Sequence, residues 1–81
     1  MSVWFITGIS RGLGRELAEA ALRHGHTVVG TTRTGDSDLD AADGRLHTVP
    51  LDVTDPEQAA TAVAAAHRIA GRLDVVVNNA G

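Results

Sequence analysis

The chain has 81 residues, 43% of them hydrophobic and 21% charged, with a formal net charge of −3. That balance belongs to a small globular fold rather than a disordered tail, and its slight acidity offers no basic field for nucleic acid. There is no cysteine, which excludes disulfides and thiolate metal sites, and all seven basic residues are arginine; the chain has neither lysine nor tyrosine.

Val3-Trp4-Phe5-Ile6-Thr7 is an apolar, β-rich run that stops at Gly8 and reads as a buried first strand. From Leu13 onward apolar residues recur at Leu17, Ala18, Ala21 and Leu22 between charged ones, the spacing of an amphipathic helix that Gly25 should end. Thr27 to Thr32 is a second, β-branched strand. Arg33 through Arg45 is polar, with room for one helical turn around Leu39–Ala42. Leu46–Leu51 reads as a third strand that Pro50 places near its end or at an edge.

Asp55-Pro56-Glu57-Gln58 is a helix start: Asp55 as cap, Pro56 in the first helical position and Gln58 completing a capping-box-like pair. Ala59, Ala62, Val63, Ala66, Ile69 and Ala70 then mark one face up to Gly71, and Leu73–Val77 forms a fourth strand. Strands that alternate with helices imply a parallel sheet, and right-handed crossovers predict the spatial order 3-2-1-4. The expected architecture is α/β: a Rossmann-like parallel sheet, helices on both faces, a truncated doubly wound fold. The apolar stretches are far too short to span a bilayer and no secretory leader pattern is visible, so the expected location is the cytoplasm.

Gly8, Gly12 and Gly14 lie between the first strand and first helix. Glycines there let the backbone turn sharply and approach a ligand, and the helix start offers free N–H groups and positive partial charge suited to a pyrophosphate. Ser10 adds a hydroxyl and Arg11 a full charge at the same turn. Without lysine the nucleoside-triphosphate loop is excluded, and Gly-x-Gly-x-x-Gly spacing does not fit either. What remains is Thr-Gly-x-x-x-Gly-x-Gly, whose plain alternative is a strand-to-helix turn with no ligand.

Thr7-Gly8-Ile9-Ser10-Arg11-Gly12-Leu13-Gly14 resembles the cofactor motif of the classical short-chain dehydrogenase/reductase family. Asp52-Val53 after the third strand and Asn78-Asn79-Ala80-Gly81 after the fourth are similar to that family's next two motifs, in the right order at the ends of the right strands. The resemblance covers essentially the whole chain and makes residues 1–81 the N-terminal part of an NAD(P)-binding domain. It implies that Gly8, Gly12 and Gly14, with Ser10, Arg11 and Leu13, form the pyrophosphate turn. It further implies that Asp52 accepts from the adenine amino group and Val53 lines the adenine pocket. Asn78, Ala80 and Gly81 would border the adenosine ribose, while Asn79 ties the sheet together. Asp52 can also be read as a capping residue leading into the Asp55 helix, and a purely structural role for the asparagines coexists with binding.

Where an NAD-preferring site places an acid, at the end of the second strand, this chain has Thr32 followed by Arg33. A guanidinium binds a ribose 2′-phosphate through two parallel hydrogen bonds, whereas a carboxylate repels it. Arg11 matches a second basic position of NADP-using family members, so NADP(H) is expected over NAD(H). The competing role for Arg33 is a solvated loop residue paired with Asp36 or Asp38.

Family members pass hydride between the nicotinamide and a small carbonyl or alcohol substrate, using a tyrosine as general acid/base with a lysine, serine and asparagine in support. Those positions lie beyond the Asn-Asn-Ala-Gly motif, so no catalytic residue is assigned here and no turnover by this chain alone is expected. The four histidines have no metal-ligand spacing and read as solvated surface residues; no metal site is assigned. The resemblance implies a homo-oligomer for a full-length parent; the acidic charge balance and the short apolar stretches lead to no expected nucleic-acid or membrane partner. The alternative function is a non-catalytic dinucleotide-binding or interaction module. With no fifth strand beside it, Leu73–Val77 is expected to be an apolar edge prone to self-association.

Overall fold

Runs of β-branched and aromatic residues form the strands and alanine-rich segments the helices. The order is β1 (Val3–Ile6), α1 (Gly12–Arg23), β2 (Thr27–Thr32), β3 (Leu46–Pro50), α2 (Pro56–Ala70) and β4 (Val75–Val77). The computed structural model describes residues 2–37, 39, 44–52 and 54–79. The four strands pair in parallel in the order β3-β2-β1-β4, as the right-handed crossovers require. Register runs from Val3 opposite Thr27 to Ile6 opposite Gly30, and from Val28 opposite Leu46 to Thr32 opposite Pro50; Trp4 to Ile6 face Val75 to Val77.

Side chains alternate across a strand, so Phe5 and Ile6 enter opposite cores. Phe5, Val29, Val49 and Leu51 pack with Ala62 and Ala66 of α2. Ile6, Ile9 and Val28 pack with Ala18, Ala21 and Leu22 of α1. The apolar face expected of α2 is narrower than its sequence suggests. Ala62 and Ala66 are buried, but Ala59, Val63 and Ile69 are exposed. Alanines spaced by four let the helix lie close over β3 and β2, which turns the larger side chains outward. Among the described residues, no helix is long and apolar enough to cross a membrane.

Several element ends differ from the sequence pattern by local bonding. Thr7 leaves the strand but still donates its N–H to the Val77 carbonyl at 3.1 Å, and Leu51 donates to the Thr32 carbonyl at 2.9 Å. β4 starts at Val75 because Asp74 is drawn to the start of β1: its N–H donates to the Val3 carbonyl at 2.9 Å and its Oδ2 accepts from the Val3 N–H at 2.7 Å. Asp55 caps α2 by accepting from the Glu57 N–H at 3.0 Å. The expected capping-box pair does not form. The Asp55 N–H donates to the Asp52 carbonyl, and Gln58 Oε1 accepts instead from the Asp52 N–H at 2.7 Å. The helical turn expected around Leu39–Ala42 lies outside the described residues.

β4 is a sheet edge. Val76 shares the α2 face with its register partner Phe5, but α2 lies over β3, β2 and β1, leaving Val76 60% exposed.

Candidate functional site

The turn from β1 to α1 needs its glycines for two separate reasons. Gly8 and Gly12 have φ of 72° and 68°, the left-handed region where a β-carbon is strained. Gly14 has ordinary helical backbone, but a β-carbon there would run into the Gly8 carbonyl and stand 2.6 Å from Asn79 Nδ2. At Gly12 nothing lies within 4 Å of the β-carbon position, so the mouth of the turn is open. A backbone cradle for a ligand has this combination of tight rear and open front.

The N–H groups of the turn are divided between protein and solvent. Gly8 N–H donates to Thr31 Oγ1 at 3.0 Å and Ile9 N–H to the Thr31 carbonyl at 3.0 Å. Beyond them Ser10, Arg11, Gly12 and Leu13 are exposed. Arg11 occupies the N-cap of α1 in extended conformation, gives no side-chain cap, and no acidic residue follows in the first turn. The first amides of a helix have no carbonyl one turn back to bond, and their dipoles sum to positive partial charge. An anion held there gains both.

β4 delivers its asparagines to the back of the same turn. Asn79 N–H donates to Thr7 Oγ1 at 2.9 Å and its Nδ2 to the Gly8 carbonyl at 3.2 Å. Asn79 is thus a tie between β4 and the glycine turn, as the sequence reading has it. Asn78 is exposed, with Oδ1 3.4 Å from the Thr7 hydroxyl.

A cleft of about 260 Å³ opens along the C-terminal rim of the sheet, with Ser10 and Arg11 on one wall, Thr32 and Arg33 in the middle and Asp52 and Thr54 on the other. It adjoins a second hollow of about 480 Å³ between Pro50, Gln58 and Thr61, and Arg33 and Asp52 border both. Arg11 and Arg33 are exposed, and among the described residues neither forms an ion pair, with Asp36 or any other carboxylate. Asp52 Oδ1 accepts from the Thr54 hydroxyl at 2.7 Å and the Thr54 N–H at 3.0 Å. Those bonds, the hydroxyl first, hold its carboxyl below the ordinary value against a small opposing effect of burial, and the charge of Arg33 adds to them. The carboxylate therefore faces the cleft ionised, as an acceptor.

The structure gathers Gly8, Ser10, Arg11, Arg33 and Asp52 around one cleft, with Gly12, Leu13 and Gly14 in the adjoining turn and Asn78 at the end of β4. Val53, Ala80 and Gly81 lie outside the described residues, as does Asp38. Sequence reasoning missed Thr31 and Thr54 and read Thr32 only as the residue standing in place of an acid; the three hydroxyls organise the cleft's floor and far wall, and paired threonines next to Arg33 were the available signal, since such hydroxyls bond local backbone. It also misjudged His26. That ring is half-buried rather than solvated, its Nδ1 accepts from the Ser2 N–H at 3.0 Å, and it lies against Trp4 in a tilted pair with centroids 5.8 Å apart.

The sequence profile described as short chain dehydrogenase matches residues 2–81. Oxidoreductase BOA17 of Botryotinia fuckeliana is 47% identical over 98% of this chain and 30% of its own length. A short-chain dehydrogenase from Streptomyces avermitilis superposes with a TM-score of 0.89 at 44% identity, over the whole of this chain and 32% of the other. An ElxO variant solved with NADPH bound gives 0.86 at 32% identity, covering 36% of that chain. A Leptospira borgpetersenii short chain dehydrogenase with bound NAD+ gives 0.81 at 22% identity, a likeness of fold. The chain thus spans about a third of the length of the proteins it matches. With the glycine turn, the strand order and the profile match in agreement, this chain belongs to the short-chain dehydrogenase family.

Proposed function

We propose that this chain is the NADP(H)-binding part of an oxidoreductase that passes hydride between NADP(H) and a small carbonyl or alcohol substrate. The observation that carries the cofactor choice is the pairing of Arg11 and Arg33 on one cleft beside the glycine turn, with Thr32 rather than an acid at the end of β2. A dinucleotide's diphosphate fits the exposed amides at the start of α1, and its 2′-phosphate fits the two guanidiniums. A dinucleotide held there would give hydride to a carbonyl or take it from an alcohol. The residues of this chain bind and orient: Gly8 and Gly12 shape the turn, Arg11 and Arg33 take negative charge, and Asp52 accepts a hydrogen bond from the purine's amino group. Val53, Asn78, Ala80 and Gly81 belong to the same site by their place in the family's motifs.

No tyrosine or lysine is present, which assigns these residues to binding and leaves the acid/base step to others. The whole protein is read as a cytoplasmic homo-oligomer. The direct test is calorimetric titration of NADPH and of NADH into the chain. Saturable binding with NADPH the tighter ligand is expected; equal affinities would overturn the choice of NADP(H), and binding of neither would overturn the site.

A further inference from the structure

Granting the dinucleotide reading of the turn, we infer that Thr31 is its positioning residue, holding two amides of the turn on β2 so that the next ones face the ligand. Thr31 is 1% exposed at the floor of the cleft, with both its hydroxyl and its carbonyl engaged by the turn. Its hydroxyl accepts from Gly8 N–H and its carbonyl from Ile9 N–H, each at 3.0 Å. One residue of β2 therefore fixes the two consecutive peptide N–H groups on either side of the Gly8 α-carbon, where the turn starts. The seat next to it is shaped to match. Ile9 is fully buried and lies over Gly30, where a β-carbon would stand 2.8 Å and 2.9 Å from its Cγ1 and Cγ2.

The consequence is a division of donors. A buried amide demands a partner, and with Gly8 and Ile9 satisfied by Thr31, the chain reaches Ser10 through Leu13 with those amides free to face solvent. Lose the hydroxyl and the N–H of half-buried Gly8 is left without its acceptor at the edge of the cleft. The turn then has reason to shift toward water or the ligand space, and the amides after it lose their aim. Arg33 follows Thr31 by two residues, so the same strand end holds the diphosphate turn and the 2′-phosphate reader in fixed relation.

Thr31→Val removes the hydroxyl and keeps the shape, and Thr31→Ser keeps the hydroxyl. Both are titrated with NADPH and with NADH by calorimetry, at a temperature where circular dichroism shows the variants folded. Thr31→Val is expected to weaken both dinucleotides by one common factor, about tenfold, and Thr31→Ser by no more than about twofold, as the loss and retention of one hydrogen bond dictate. The NADPH-to-NADH ratio stays that of the parent, which separates this effect from any change at Arg33. Parent-like binding by folded Thr31→Val, or an equal loss in Thr31→Ser, would overturn the inference while the cofactor reading stands. A parent that binds neither dinucleotide overturns both. Should Thr31→Val not fold, Thr31→Ser decides alone: it must bind like the parent and keep the Gly8 amide protected from hydrogen exchange.

Discussion

Asn79 Nδ2 donates to the Gly8 carbonyl at 3.2 Å, joining residues 71 positions apart at the C-terminal rim of the sheet. The bond fills the space behind the turn that Gly14 leaves open, and with Asn79 N–H on Thr7 Oγ1 it secures β4 to β1 beyond their last paired residues. Asn79→Ala removes the side-chain bond alone. A loss of about 1 kcal/mol of stability is expected by urea denaturation, the net worth of one part-buried hydrogen bond, with weaker binding of NADPH and NADH alike. An unchanged denaturation midpoint would show the tie to be incidental.

Gly14→Ala tests packing instead of conformation. The added methyl meets the Gly8 carbonyl and Asn79 Nδ2, and backbone cannot swing aside as a side chain can. Overpacking of this kind costs about 1–3 kcal/mol, so a clearly lowered thermal midpoint with dinucleotide binding impaired is the expected result. Wild-type stability would mean that α1 can move away from β1 without penalty.

Arg33→Ala separates the two cofactors. Loss of a charged hydrogen bond to the 2′-phosphate is expected to weaken NADPH by about 1.5–3 kcal/mol and to leave NADH nearly unchanged. Calorimetry on the variant reads both numbers. Equal losses would make Arg33 a structural residue or a general electrostatic one.

Acid stability follows from Asp74. Its carboxyl is held below the ordinary value of 3.8 chiefly by the Val3 N–H, against some desolvation and with help from Arg72. A folded value lower than the unfolded one contributes stability above the unfolded value, and that contribution is lost as pH falls through the folded one. Asp52 has the same sign. Urea midpoints should therefore begin to drop as pH falls below about 5 and go on dropping below 3.8, and Asp74→Asn should make that drop shallower. A variant with the parent's full pH dependence would remove Asp74 from the account.

The edge at β4 has a consequence in solution. An apolar strand with unpaired backbone groups is a template for pairing with another chain, and Val76 stands 60% exposed on it. Sedimentation of the chain should show self-association that Val76→Lys reduces. A monomer at all concentrations would contradict this.

Much of the architecture was legible because its signals are local. β-branched runs bounded by Gly8 and Gly25 mark β1 and β2, and Asp55-Pro56 marks the start of α2. The glycine turn was legible for the same reason, since Gly8 and Gly12 are required by the backbone itself. What escaped depends on which partner wins among several within reach. Gln58 could have closed a capping box, but Asp55 N–H was already bonded to the Asp52 carbonyl, so Gln58 turned to the Asp52 N–H. Thr31 reads as one more β-branched strand residue until the turn folds back over it. His26 looks like a polar turn residue until Ser2 and Trp4 close around it. The narrowing of α2's apolar face is of the same kind, fixed by how closely alanines let the helix approach.

The claim on which all of this depends is that the amides opening α1 receive a nucleotide's diphosphate. Recording amide chemical shifts of the isotope-labelled chain while NADPH is added tests it at each residue. The largest changes should fall on Ser10, Arg11, Gly12 and Leu13, with Arg33 responding to NADPH more than to NADH. Saturable binding that leaves those four amides where they were would contradict the account.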